Sequence, residues 1–127
     1  MAAGAQILVV EDNDKNMKLF RAVLLAKGYR TLEATTGGEA VALAAEHSPD
    51  LVLMDIQLPD IDGVEALGRL RADGRTASVP VLALTAQAME GDRERFLAAG
   101  FDGYISKPVN IAEFVATVRR HCEEGSR

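Results

Sequence analysis

The sequence predicts an α/β fold in three layers, a (βα)5 arrangement with a parallel sheet between helices. Three observations lead there. Short apolar runs alternate five times with segments of helical periodicity, the sequence pattern of βα units. The runs Ile7–Val10 and Leu51–Met54 are apolar at every position, as strands buried on both faces are. Both end abruptly in carboxylates, Glu11 and Asp12 after the first and Asp55 after the second. Acids therefore emerge at the carboxyl edge, where open α/β sheets place their ligands.

Taken in order, Ile7 to Val10 is the first strand. Asp14 caps a helix that carries Met17, Phe20, Val23 and Leu24 at helical spacing and stops at Lys27-Gly28. Tyr29 to Glu33 makes a second strand, polar enough for a sheet edge. Thr36-Gly37-Gly38-Glu39 has the form of a capping box and opens an alanine-rich helix; the glycine pair reads as a turn, without the spacing of a phosphate cradle. The third strand, Leu51 to Met54, is bounded by Ser48-Pro49-Asp50 in front and Pro59-Asp60 behind. A helix over Gly63 to Ala72 turns Val64, Leu67 and Leu70 inward and ends at Asp73-Gly74. Val79 to Leu84 is strand four, with Pro80 tolerable only near its start. The fourth helix, around Asp92 to Ala99, is the most polar of the five and closes at Gly100. Gly103 to Ser106 is a short fifth strand. Asn110 and Glu113 form another capping pattern before a last helix whose apolar stripe is Ile111, Phe114, Val115, Val118 and Cys122.

At 127 residues the chain predicts one domain over 1–127, with its core at about 6–122 and tails at 1–5 and 123–127. A net charge of −5 argues against a basic face for nucleic acid. The single cysteine, Cys122, allows no internal disulfide, and Met1 to Gln6 lacks the charged start and apolar run of a signal peptide. Both observations predict a cytoplasmic protein. No apolar stretch approaches the ~18 residues of a membrane-spanning helix. If strands one and three are neighbours, Glu11, Asp12 and Asp55 converge on one patch, and three carboxylates so placed repel one another unless a cation sits among them.

The acids belong to a larger set. Glu11-Asp12-Asn13 follows strand one, Met54-Asp55-Ile56-Gln57-Leu58-Pro59 ends strand three, Leu84-Thr85-Ala86 ends strand four, and Tyr104-Ile105-Ser106-Lys107-Pro108 runs through strand five. With these motifs in this order, the chain from about Gln6 to Cys122 resembles the receiver domain of bacterial response regulators, the CheY-like family. The resemblance implies a flavodoxin-like sheet in the order 2-1-3-4-5, which is the order of flavodoxin and of CheY themselves. It implies that Asp55 is the phosphoacceptor, attacking the phosphorus of a phosphohistidine in line. Glu11, Asp12, Asp55 and the backbone carbonyl of Gln57 would hold Mg²⁺, with Mn²⁺ as a substitute; a sparse oxygen set suits magnesium better than calcium. Lys107 would balance the acids and contact a phosphoryl oxygen, Thr85 would close its hydroxyl onto the phosphoryl group, and Tyr104 would turn into the space Thr85 vacates. The Lys107–Pro108 peptide is expected to be cis.

The function implied is that of a single-domain response regulator in a two-component system or phosphorelay. Its phosphoryl group comes from a histidine kinase or histidine phosphotransfer protein. Its signal leaves through a downstream protein bound to the face of helix 4, strand 5 and helix 5. The protein is expected as a monomer or weak dimer that binds neither nucleic acid nor membrane. Such a domain catalyses only its own aspartyl phosphorylation and dephosphorylation, at a rate set by Gln57 and Gln87, and is otherwise no enzyme. Met1 and the short tail after the last helix favour a stand-alone protein. The alternative is a receiver from a hybrid histidine kinase, since such receivers share the stretch Ala88–Arg95.

Other functions fit less well. An FMN site needs a glycine- and hydroxyl-rich loop after strand one, where Glu11-Asp12-Asn13-Asp14 would repel phosphate. A haloacid-dehalogenase-like phosphohydrolase needs an acid two residues after its nucleophile, and Gln57 stands there. His47 and His121 read as surface residues, Met17, Met54 and Met89 as packing, and Arg69, Arg71 and Arg75 as a solvated face.

Overall fold

Alternation within the apolar runs decides which helix covers which side of the sheet. The computed structural model describes residues 4–86 and 92–125. Its strands are β1 (Gln6–Val10), β2 (Arg30–Ala34), β3 (Leu51–Asp55), β4 (Val81–Thr85) and β5 (Gly103–Ser106). All are parallel, in the order β2-β1-β3-β4-β5 that the resemblance implied. The helices are α1 (Asp14–Ala26), α2 (Gly37–His47), α3 (Gly63–Ala72), α4 (Asp92–Ala99) and α5 (Ile111–Gly125).

Successive side chains of a strand face opposite ways. Ile7 and Val9 of β1, Leu51 and Leu53 of β3, and Leu82 and Leu84 of β4 join one core cluster with Met17, Phe20 and Leu24 of α1 and Phe114, Val115, Val118 and Cys122 of α5. There the rings of Phe20 and Phe114 stack with centroids 5.2 Å apart. Leu8, Val10, Val52, Met54, Val81 and Ala83 face the other way. They pack against Ala40 and Ala44 of α2, Ala66, Leu67 and Leu70 of α3, and Phe96 of α4. Each fully buried large side chain is favoured by about 1.5–3 kcal/mol, so two such layers hold the fold without a disulfide.

Local chemistry moves several expected boundaries. Asn13, not Asp14, caps α1: its side chain accepts the Asn16 N–H at 3.0 Å, and Asp14 falls in the first turn, where its charge meets the positive end of the helix. In α2 the Thr36 hydroxyl accepts the Glu39 N–H as expected, while Glu39 reaches back to the Thr35 amide at 2.8 Å. β2 starts at Arg30, because Gly28 (φ +88°) turns the chain and Tyr29 enters the core. β4 starts at Val81; Pro80 has no N–H to give a ladder and contributes only its carbonyl, which accepts from Val52 at 2.9 Å.

Two residues expected inward are exposed. Val64 lies one residue off the buried stripe of Gly63, Ala66, Leu67 and Leu70, and Ile111, though in phase, is the first residue of α5. Arg71 corrects the reading of a solvated arginine face. Its guanidinium donates to the carbonyls of Ala77, Val79 and Gly100 and to Asp102, whose carboxylate also accepts the Val81 N–H. It thereby ties the end of α3 to the starts of β4 and β5.

Candidate functional site

The register of the two central strands brings the acids together. Val10 pairs with Met54, so the next residues, Glu11 and Asp55, leave the sheet side by side. Glu11 is fixed in that position by its N–H, which donates to Ala34 of β2 at 3.0 Å. Both carboxylates are buried, Glu11 1% and Asp55 6% exposed, while Asp12 stands in solvent. Oxygens of Glu11, Asp12 and Asp55 lie within 4.8 Å of one another.

Lys107, just after β5, reaches across the ends of β4 and β3 to these acids. Its Nζ donates to Glu11 Oε1 at 2.6 Å and to Asp55 Oδ2 at 2.9 Å, and its own amide donates to the Thr85 carbonyl at 2.8 Å. Burial opposes its charge, but the bonds to Glu11 and Asp55 outweigh burial and raise the ammonium above its ordinary value. Glu11 is pushed up as well, by burial first and then by the Asp55 carboxyl, against the pull of Lys107 and the Asn13 amide. The Lys107–Pro108 peptide is cis, as the resemblance implied.

The loop after Asp55 is pinned at both ends. Gln57 N–H donates to Asp55 Oδ1 at 3.0 Å, and Ile56 bonds to Leu84 through its N–H and to Gly63 through its carbonyl. A Cβ on Gly63 would stand 2.6 Å from the Asp55 carbonyl oxygen, so glycine is needed for α3 to start this close to the site. At the other end Asp60 accepts the N–H groups of Gly37 and Gly38 at 2.8 and 2.9 Å. The two backbone donors, Gly38 first, hold the Asp60 carboxyl down at about 2. The glycine pair is thus a cradle after all, at the start of α2, and its occupant is a carboxylate of this chain.

Glu11, Asp12, Asp55, Gln57, Thr85 and Lys107 all line one cleft of about 380 Å³, with Arg95 of α4 also on its wall. Thr85 is buried at the end of β4. Tyr104 is not part of this lining; it is half-buried, its ring 6.0 Å from that of Phe96. Gln87 and Met89 lie outside the described residues. Three carboxylates against the Lys107 ammonium and the Arg95 guanidinium leave the cleft short of positive charge, and their hard oxygens are the donors Mg²⁺ prefers, so the residues present fit a magnesium ion.

Sheet order, acid cluster and crossing lysine define a class, and residues 7–119 match the response regulator receiver domain: the chain belongs to that family. Among its relatives are the polar-differentiation response regulators DivK of Brucella ovis and Brucella abortus. Each is 47% identical over 115 residues, covering 91% of this chain and 94% of theirs. The chain is also similar to the receiver domain of the sensor histidine kinase PA1611 of Pseudomonas aeruginosa, a crystal structure with magnesium coordinated in the active-site cleft. That match has 40% identity and a TM-score of 0.87 over 95% of this chain and 99% of the other. The chemotaxis protein CheY4 of Vibrio cholerae aligns at 27% identity and a TM-score of 0.86, over 93% and 98%. Among the described residues no helix is long and apolar enough to cross a membrane.

Sequence reasoning missed Asp60 and Arg71. The signal for Asp60 was present in Gly37-Gly38, two unencumbered amides behind a capped helix start. Its partner lies 23 residues away and only the fold brings it there.

Proposed function

We propose that the chain is a single-domain response regulator that takes a phosphoryl group from phosphohistidine onto Asp55. One observation carries the reading. Asp55 opens into the cleft with Oδ2 held by Lys107 and Oδ1 by the Gln57 amide, a carboxylate oriented beside two further acids able to hold a dication. A carboxylate oxygen attacks phosphorus as the bond to the donor imidazole nitrogen breaks, and the electron pair returns to that ring. Glu11, Asp12, Asp55 and the Gln57 carbonyl would hold Mg²⁺, or Mn²⁺ in its place, which when bound neutralises charge on the phosphoryl oxygens.

Lys107 keeps the acids apart in the resting state and takes a phosphoryl oxygen afterwards. The Thr85 hydroxyl closes onto the phosphoryl group, and a bond of that kind to a charged acceptor contributes roughly 1.5–3 kcal/mol, enough to shift a two-state switch more than tenfold. Tyr104 follows it inward. Kinase or phosphotransfer protein supplies the phosphoryl group in the cytoplasm, and a downstream protein reads the face of α4, β5 and α5 on a monomer or weak dimer. Gln57, beside the site, sets the rate of hydrolysis. The domain acts on no outside substrate. Coverage of nearly the full length of the DivK relatives supports a one-domain protein.

Incubation with acetyl phosphate and Mg²⁺ should add one phosphoryl group, lost in hydroxylamine and not formed with excess chelator. Asp55→Asn should remain unlabelled in intact-mass spectra. Equal labelling of that variant would overturn the assignment.

A further inference from the structure

We infer that Asp60 is a positioning residue for the metal site: by fastening the β3–α3 loop to the start of α2, it sets the peptide whose Gln57 carbonyl would meet the dication. The inference rests on the metal site of the receiver function proposed above. Between β3 and α3 the chain makes a short excursion over residues 57–62, closed at its base by the Gly63 N–H, which donates to the Ile56 carbonyl at 2.8 Å. Gln57 lines the cleft, and Asp55 Oδ1 holds its N–H. That bond fixes the peptide before Gln57. The Gln57 carbonyl belongs to the peptide after it, whose rotation is set by what holds the chain further on.

Leu58 and Ile61 pack against the core layer of α2 and α3, but apolar contact has no direction and does not orient a peptide. Hydrogen bonds do, and Asp60 supplies two, with Oδ1 accepting the Gly37 N–H at 2.8 Å and Oδ2 the Gly38 N–H at 2.9 Å. Both are charge-assisted and lie at the positive end of a helix. The two glycines permit the approach: a Cβ on Gly37 would collide with the Ile61 side chain, and one on Gly38 would stand 3.3 Å from Asp60 Oδ2. From Asp60 back to the Gln57 carbonyl the chain is stiff, because Pro59 fixes its own φ and restricts Leu58 to extended backbone. Neither glycine lines the cleft, so Asp60 acts on the metal only through the loop. A loop already in the receptive shape binds the ion with less ordering, and linkage requires the ion in turn to strengthen the hold of Asp60 on α2.

Titration calorimetry with Mg²⁺ alone tests this. Failure of wild type to bind would defeat the metal site itself, whatever Asp60 does. Given wild-type binding, Asp60→Ala should weaken it about fivefold, the loss for a loop that holds the receptive shape roughly a fifth of the time. Asp60→Asn keeps one acceptor oxygen of two and should fall in between. Val118→Ala, in the layer of α1 and α5, should melt lower and still bind Mg²⁺ as wild type does. In wild type, saturating Mg²⁺ should slow amide exchange at Gly37 and Gly38, a measurement that requires no variant to fold. A loss below twofold in Asp60→Ala would overturn the proposal. So would an equal loss in Val118→Ala, which would reduce the effect to general loosening, or exchange at Gly37 and Gly38 that ignores Mg²⁺.

Discussion

The two walls of the acidic cleft are held in place with very different strength. On the side of β1 and β3, Glu11 and Asp55 continue strands that are buried at nearly every position, backed by a layer in which α1 and α5 bury Met17, Phe20, Leu24, Phe114, Val115, Val118 and Cys122. On the other side stands α4, eight residues long, whose buried hydrophobic residue among those described is Phe96, with Leu97 42% exposed. Chemistry that needs fixed geometry sits on the first wall. The second wall can move at little cost, which is what a reporter of the site's state requires.

Substitutions should expose that difference, most strongly in the packed layer. Phe114→Ala removes one ring of the stacked pair and should cost roughly 3–5 kcal/mol in urea unfolding, whereas Leu97→Ala on α4 should stay within about 0.5 kcal/mol. Comparable losses from the two would mean that α4 is as firmly seated as α5.

Lys107→Met tests the first wall electrostatically. In chelator it leaves Glu11 and Asp55 facing each other, and stability near pH 7 should drop on the order of 2 kcal/mol. The sign of the pH dependence follows from Glu11. Its folded-state value is already raised above 4.5 and must rise further without the ammonium, so it contributes stability that is present below 4.5 and lost as pH climbs through the folded value. The deficit of the variant should therefore shrink on acidification. A deficit that grows as pH falls toward 4.5 would contradict the placement of the charges.

Asp60→Asn should have a smaller effect, visible mainly as a change in the acid limb of stability. Asp60 titrates at about 2 in the fold against 3.8 in a free chain, so its contribution is present above 3.8 and fades as pH falls from there toward about 2. Wild type and variant should converge over that interval in acid-titrated thermal melts. A constant gap would mean that the two glycine amides do not depend on the Asp60 charge.

The layers, the strand order and the acid cluster were legible because each is written in periodicity or in a motif at a strand end. Val64 was misread because it lies one residue off the buried stripe of its helix, and Ile111 because an apolar residue at a helix start can satisfy the pattern without reaching the core. Asp60 and Arg71 were missed for a different reason: both bond to backbone groups, which carry no sequence signal, and Arg71 does so across elements far apart in the chain. The positions of Glu11, Asp55 and Lys107 could be anticipated together only through the family motifs, since the Lys107–Glu11 contact closes 96 residues.

Amide hydrogen exchange with and without beryllofluoride compares the two walls directly. Amides of α4 and β5 should change their protection on addition of the mimic, while those of the buried strands β1 and β3 should keep theirs. Unchanged exchange in α4 and β5 alongside a clear change in β1 and β3 would contradict this, placing the movable wall on the side of β1 and β3.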